Sequence, residues 1–159
     1  MRMTEAERKF HRKTAAQSFN KTWDYLDMKL RNTKDNEMML HLAHTSRYHW
    51  SLVGTPRNQA VGDWQTSRVY AALGEPKLSL QFAKSSLEMA KKNQLSDAYS
   101  NAHEAMARAY AVASNKKLAK SHLSKARKML DSLIIDDDDR KIYLGQILDT
   151  EKMIGKYTR

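Results

Sequence analysis

The sequence contains no cysteine among its 159 residues. Disulfides, a thiol nucleophile and thiolate ligands for zinc or iron–sulfur clusters are therefore excluded. Glycine and proline are also scarce, at five and two residues, which disfavours an all-β fold and favours helices. No apolar run approaches the ~20 residues of a membrane-spanning helix, and residues 1–13 lack the apolar stretch of a secretory signal. We therefore expect a cytoplasmic protein with no membrane partner.

The length and composition predict one soluble globular domain that spans residues 1–159. Hydrophobic residues make up 41% of the chain and charged residues 29%, which is typical of a folded domain. A chain of this size buries roughly 70% of its unfolded surface. A hydrophobic core is therefore feasible without metal or disulfide cross-links.

Basic residues outnumber acidic residues by 28 to 18, which gives a formal net charge of +10. Such an excess can indicate nucleic-acid binding through phosphate contacts. The richest basic stretch, however, lies mostly opposite an apolar helical stripe and has no interleaved aromatic residue that could stack on bases. We therefore interpret this stretch as a solvated helix face and do not expect a nucleic-acid partner. Its basic residues are Lys116, Lys117, Lys120, Lys125, Arg127 and Lys128.

Apolar residues recur at helical spacing with punctuation every 15 to 20 residues, and this pattern predicts about seven helices. Thr4 and Glu7 form a capping-box pattern for the first helix, which we expect to continue as far as Leu30. Capping residues and prolines at Thr55-Pro56 and Glu75-Pro76 separate later helices. The expected starts and ends of helices two to seven are 35–54, 56–73, 76–93, 96–114, a helix ending near 133, and a last helix beginning in the acidic run 136–139.

An internal repeat appears when the sequence is compared with itself at an offset of 40 residues. Arg68 then matches Arg108 and Tyr70 matches Tyr110, and small residues coincide at several other places. A helix pair that recurs at this period is typical of a solenoid in which each unit packs on the next. The fold class predicted from the sequence is therefore all-α, an array of helical hairpins.

Residues 69–74, with Ser79 and Ser86, resemble a tetratricopeptide repeat, and Tyr110 with Ala119 and Ala126 resembles it again. The resemblance covers two degenerate repeats over 58–133, with 1–57 and 134–159 as flanking and capping helices. The period is 40 residues and not the 34 of that family. The segments AHTSRYHW at 43–50 and WQTSRVY at 64–70 also resemble a small uncharacterised group of bacterial repeat proteins, which implies no particular activity.

The tetratricopeptide resemblance implies a concave groove lined by the first helix of each pair. The groove residues that could bind a ligand are Trp64, Arg68, Asn101, Glu104 and Arg108. An arginine fork can bind a carboxylate with two hydrogen bonds, and an indole offers an apolar platform beside it. The resemblance thus implies a non-enzymatic module for a protein or peptide, which could be a second copy of the chain. In the other interpretation, Arg68 pairs with Glu104 and only stabilises the array.

A second hypothesis is a metal-binding or metal-dependent protein that uses Glu37, His41 and His44. These residues lie within 60° of one another on the predicted second helix, and imidazole and carboxylate suit zinc, manganese or iron. The accompanying HExxH motif of zinc hydrolases is absent. The sequence also lacks a phosphate-binding glycine loop, a dinucleotide fingerprint and a nucleophile elbow. We therefore expect neither an enzymatic activity nor a cofactor.

Overall fold

The computed structural model describes residues 2–157, which form seven α-helices and no β-strand. The helices pack consecutively as hairpins, α1 with α2, α3 with α4, and α5 with α6, and α7 lies against both α5 and α6. The predicted all-α array of seven helices is therefore confirmed. None of the described helices is both long and apolar enough to cross a membrane. The helices are α1 (Glu5–Leu26), α2 (Thr33–Val53), α3 (Pro56–Ala72), α4 (Pro76–Lys92), α5 (Ser96–Val112), α6 (Lys116–Ser132) and α7 (Asp137–Tyr157).

The first helix ends at Leu26, four residues before the predicted end at Leu30. The Arg31 guanidinium donates to the carbonyl oxygen of Tyr25 at 3.1 Å and so satisfies an otherwise unpaired acceptor at the helix end. Asn32 then begins α2 with a capping box to Asp35. Leu30 lies in the connection and is 91% exposed, so the apolar spacing was misleading at this position.

Helices α3 to α6 follow a strict period of 20 residues, with 17 residues in each helix. The connections after α3, α4 and α5 each contain a residue in the left-handed conformation, with φ of 74° at Gly74, 55° at Gln94 and 58° at Ser114. In each case the next amide donates back into the helix, as from Glu75 to the Tyr70 carbonyl at 2.9 Å. The three helices therefore end by the same Schellman-type cap.

Positions 40 residues apart make matching contacts in the α3–α4 and α5–α6 hairpins. Tyr70 stacks on Phe82 with ring centroids 5.5 Å apart, and Tyr110 stacks on His122 at the same 5.5 Å. Buried serine bonds also recur in the same register, from Ser86 to the Ala60 carbonyl at 2.8 Å and from Ser100 to the Ala126 carbonyl at 2.9 Å. The two hairpins therefore place matched residues in matched environments.

The centre of the array is formed by α3 and α5, which are buried on most sides. Small residues allow this close packing, because nearly every residue of 98–111 on α5 is buried and half of them are alanine. The hairpin α1–α2 packs on one side of these helices and α7 on the other. Polar side chains that α3 and α5 point toward the concave side are consequently enclosed.

Candidate functional site

The five residues predicted to line the groove all lie on α3 and α5, and all are less than 9% exposed. Four of them converge on one carboxylate, that of Glu104. Asn101 lies one turn earlier on α5, where its amide interacts with the hydroxyl of Tyr143 on α7. The structure therefore brings four of the five predicted residues into one polar cluster. We call the surface formed by Trp64, Arg68, Glu104 and Arg108 the arginine groove.

The Glu104 carboxylate is 2% exposed and accepts hydrogen bonds on both oxygens. Trp64 Nε1 donates to Oε2 at 2.7 Å. Arg108 Nε donates to Oε1 at 3.0 Å, and the hydroxyl of Thr150 on α7 donates to the same oxygen. Arg68 completes the shell with Nη1 3.5 Å from Oε1. The ion pair between Arg68 and Glu104, one of the two interpretations of the sequence, is therefore present.

All three charged side chains of the arginine groove are ionised at neutral pH. Burial alone would raise the pKa of Glu104, but Arg108 and Arg68, with the hydrogen bonds from Thr150 and Trp64, hold that pKa below its usual value. Burial and the like charge of Arg108 lower the pKa of Arg68 to about 10. Two guanidinium groups therefore share one fully buried carboxylate.

The remaining partners of the two arginines are weak or exposed. Arg68 Nη2 lies 3.2 Å from Asp149 Oδ2, but the Asp149 side chain is 55% exposed. Arg108 Nη1 lies 2.7 Å from the sulfur of Met153, and a thioether is only a weak acceptor. Within residues 2–157, Arg68 Nη1 and Arg108 Nη2 are buried without a hydrogen-bond acceptor. The cluster therefore has more donors than acceptors and an excess of positive charge.

The protein's own last helix occupies the arginine groove. Thr150, Asp149 and Met153 of α7 contact Glu104, Arg68 and Arg108 in turn, and Trp23 of α1 closes the other side with its ring 5.3 Å from the Arg68 guanidinium. The sequence analysis did not find the residues of α7. A signal for them was present, because a helix with apolar positions 147 and 154 carries a fully buried hydroxyl at Thr150 between them.

The residues of the metal hypothesis are not brought together as a ligand set. His44 Nε2 lies 2.9 Å from the hydroxyl of Tyr70 on α3, whereas Glu37 and His41 are exposed on α2. Burial and the nearby Arg47 lower the pKa of His44. In the described part of the chain, no three His, Asp or Glu side chains are close enough to hold a metal ion. His44 is therefore part of an aromatic contact between α2 and α3.

A polar network on the opposite side of α3 anchors α2 and α4. The carboxylate of Asp63, which is 3% exposed, accepts hydrogen bonds from Arg47 on α2 and from Ser85 on α4. The Arg47 guanidinium also lies 5.1 Å from the centre of the Phe82 ring. Every polar group in this network has a partner, in contrast to the arginine groove. The network is therefore suited to holding three helices together.

Comparison of the chain with protein-family models, with curated proteins and with solved structures gives no match in any of the three. The function has therefore to be inferred from the geometry of the polar cluster and from the surfaces that surround it.

Proposed function

We propose that the protein is a non-enzymatic binding module of tetratricopeptide type that holds a helical segment of a partner protein in the arginine groove. The observation that carries the proposal is the pair of buried guanidinium nitrogens, Arg68 Nη1 and Arg108 Nη2, that have no acceptor in residues 2–157. Buried donors without partners cost free energy. A ligand that supplies an acceptor there gains that free energy on binding.

The chemistry of the groove defines the partner segment as a helix that presents a carboxylate to Arg108. In the structure α7 presents the sulfur of Met153 at that place. A carboxylate there would accept two hydrogen bonds from the planar guanidinium. The partner also needs apolar side chains where α7 buries Ile147 and Ile154. The expected ligand is therefore an amphipathic helix with one acidic residue on its apolar face.

Binding requires that the partner helix displaces α7, which is tethered to the groove. A tethered competitor has an effective concentration of the order of millimolar. A charge-assisted hydrogen bond contributes about 1.5–3 kcal/mol, or roughly 10- to 100-fold in affinity. One well-placed carboxylate is therefore enough to make a partner helix competitive with α7.

The test uses a fluorescent peptide with the sequence of residues 137–157 and the change Met153→Glu. We expect saturable binding to the full chain by fluorescence anisotropy, at least tenfold tighter than that of the unchanged peptide. The full-length variant Met153→Glu supplies the carboxylate within the chain and is expected to lose this binding. Leu148→Glu is the matched control, because it makes the same change in charge on the outer face of α7, where Leu148 is 40% exposed.

Three results would contradict the proposal. The first is that neither peptide binds the full chain at concentrations up to a millimolar. The second is that both peptides bind equally, since the added carboxylate would then have no acceptor role. The third is that Met153→Glu and Leu148→Glu proteins bind the peptide equally well, because binding would then occur outside the arginine groove.

A further inference from the structure

A cleft of about 510 Å³ lies between α6 and α7, outside the arginine groove. Three cationic residues of one α6 face line it, together with the apolar side chains of Leu123 and Ile154. The cations are Lys116, Lys120 and Arg127. We call this surface the basic cleft. Its volume lies within the range of ~300–1,000 Å³ that is typical of small-molecule sites.

The internal repeat shows that two of these cations replace core residues. Lys120 and Arg127 stand 40 positions after Leu80 and Leu87 of α4. Those leucines pack against Trp64 of α3 and against α5 residues that include Met106. Because the two hairpins share contacts in this register, leucines would be compatible with the same places on α6. The basic side chains therefore open a cleft where the preceding repeat is closed by apolar packing.

The positive charge of the basic cleft is only partly neutralised. Glu151 is the one acidic residue that lines it, and its Oε2 lies 3.4 Å from Arg127 Nη2. Within residues 2–157, no carboxylate lies within 4 Å of the ammonium group of Lys116 or Lys120. Lys116 also lies in the first turn of α6, which has no acidic residue, although the helix dipole favours an anion there. An anionic ligand would relieve both effects.

We propose that the basic cleft binds a small organic molecule that carries phosphate groups. Lys116 and Lys120 are one helical turn apart and can bind phosphate oxygens as point charges. Leu123 follows about one turn further along α6, beside Ile154 of α7, and gives the body of the ligand an apolar floor. Arg127 lies at the far end of the cleft, about 16 Å along the helix axis from Lys116. The ligand is therefore elongated, with its phosphates near the start of α6.

The competing explanation is that the lysines only keep the end of the array soluble, as terminal repeats with a polar outer face do. That explanation requires charge but no particular positions. Lys125 and Lys128 provide the comparison, because they are exposed on the same helix and do not line the cleft. Two variants with the same net charge therefore separate a binding site from a solvated surface.

The experiment measures binding of ATP and of tripolyphosphate to the full chain by isothermal titration calorimetry in 0.15 M salt. ATP joins three phosphates to a flat apolar ring, whereas tripolyphosphate reports on charge alone. We expect both to bind, with ATP several-fold tighter because its base lies on the apolar floor. The double variant Lys116→Gln plus Lys120→Gln should weaken ATP binding at least tenfold. The matched variant Lys125→Gln plus Lys128→Gln should stay within twofold of the unchanged protein.

Each other outcome contradicts the inference. Equal weakening by the two double variants would mean that diffuse charge, and not the basic cleft, attracts the anion. Equal affinity for tripolyphosphate and ATP would refute the apolar floor and with it an organic ligand. No heat of binding for either anion up to a millimolar would refute the site itself. All four lysines are exposed, so the variants should fold, and circular dichroism checks this directly.

Discussion

Replacing Glu104 by glutamine should strongly destabilise the fold, although the two side chains have nearly the same shape. The amide oxygen of glutamine can still accept the bonds from Trp64 and Thr150. The change removes the only fully buried negative charge beside Arg68 and Arg108. Two guanidinium groups would then remain enclosed, with the exposed Asp149 as their nearest carboxylate.

The expected cost follows from that loss of compensation. Removing one partner of a buried ion pair typically costs about 3–5 kcal/mol, because the other charge is left without compensation. Domains of this kind have a free energy of unfolding of about 5–15 kcal/mol. Glu104→Gln should therefore consume a large part of the stability. Asp149→Asn is the matched control, because it removes an exposed carboxylate from the same Arg68 and should cost less than about 1 kcal/mol.

Urea denaturation followed by circular dichroism measures both variants, with the midpoint shifting and the slope unchanged. Adding Arg108→Met to Glu104→Gln should recover part of the loss, since one stranded cation is removed. A cost below about 1 kcal/mol for Glu104→Gln, or a cost no larger than that of Asp149→Asn, would refute the view that Glu104 neutralises the arginine groove. A double variant less stable than Glu104→Gln alone would refute it as well.

Two further predictions concern acid stability and helix ends. Burial, with His122 and Lys125 nearby, lowers the pKa of His103 to about 4, below the ~6.5 of an unfolded chain. The stabilisation is therefore complete above pH ~6.5 and is lost as the pH falls toward 4. The free energy of unfolding should drop by roughly 2–3 kcal/mol over that window, and a pH series with the same drop in His103→Gln would contradict the assignment. At the helix ends, Gln94→Gly should stabilise the protein and Gly74→Ala destabilise it, by about 1 kcal/mol each, because both positions have positive φ. Thermal melts that shift by equal amounts in the same direction would disprove this explanation.

Most of the helical architecture could be predicted because its determinants are local. Thr55 caps α3 and Pro56 occupies its first turn, and both are visible in the sequence. The offset of 40 residues likewise follows from matched residues such as Tyr70 and Tyr110. The end of α1 was mispredicted, because the apolar spacing continues to Leu30 while Arg31 caps the carbonyl oxygens of 25 and 26.

The candidate site was predicted less completely because its closure depends on residues far apart in sequence. Arg68 and Glu104 could be identified from the repeat, but their contacts with Asp149 and Thr150 join positions 81 and 46 residues apart. No periodic pattern relates α7 to the two repeats. The sequence therefore predicted which side chains face the concave side, but not that α7 covers them.

The position of Arg68 has a consequence for how the chain comes apart. Arrays of helix pairs usually touch only their neighbours, so they can fray from one end while the other stays folded. Here one guanidinium contacts Trp23 near the beginning of the chain and Asp149 near its end. Loss of either terminal segment exposes the same buried charge, so the first and last helices are expected to detach in a single concerted step.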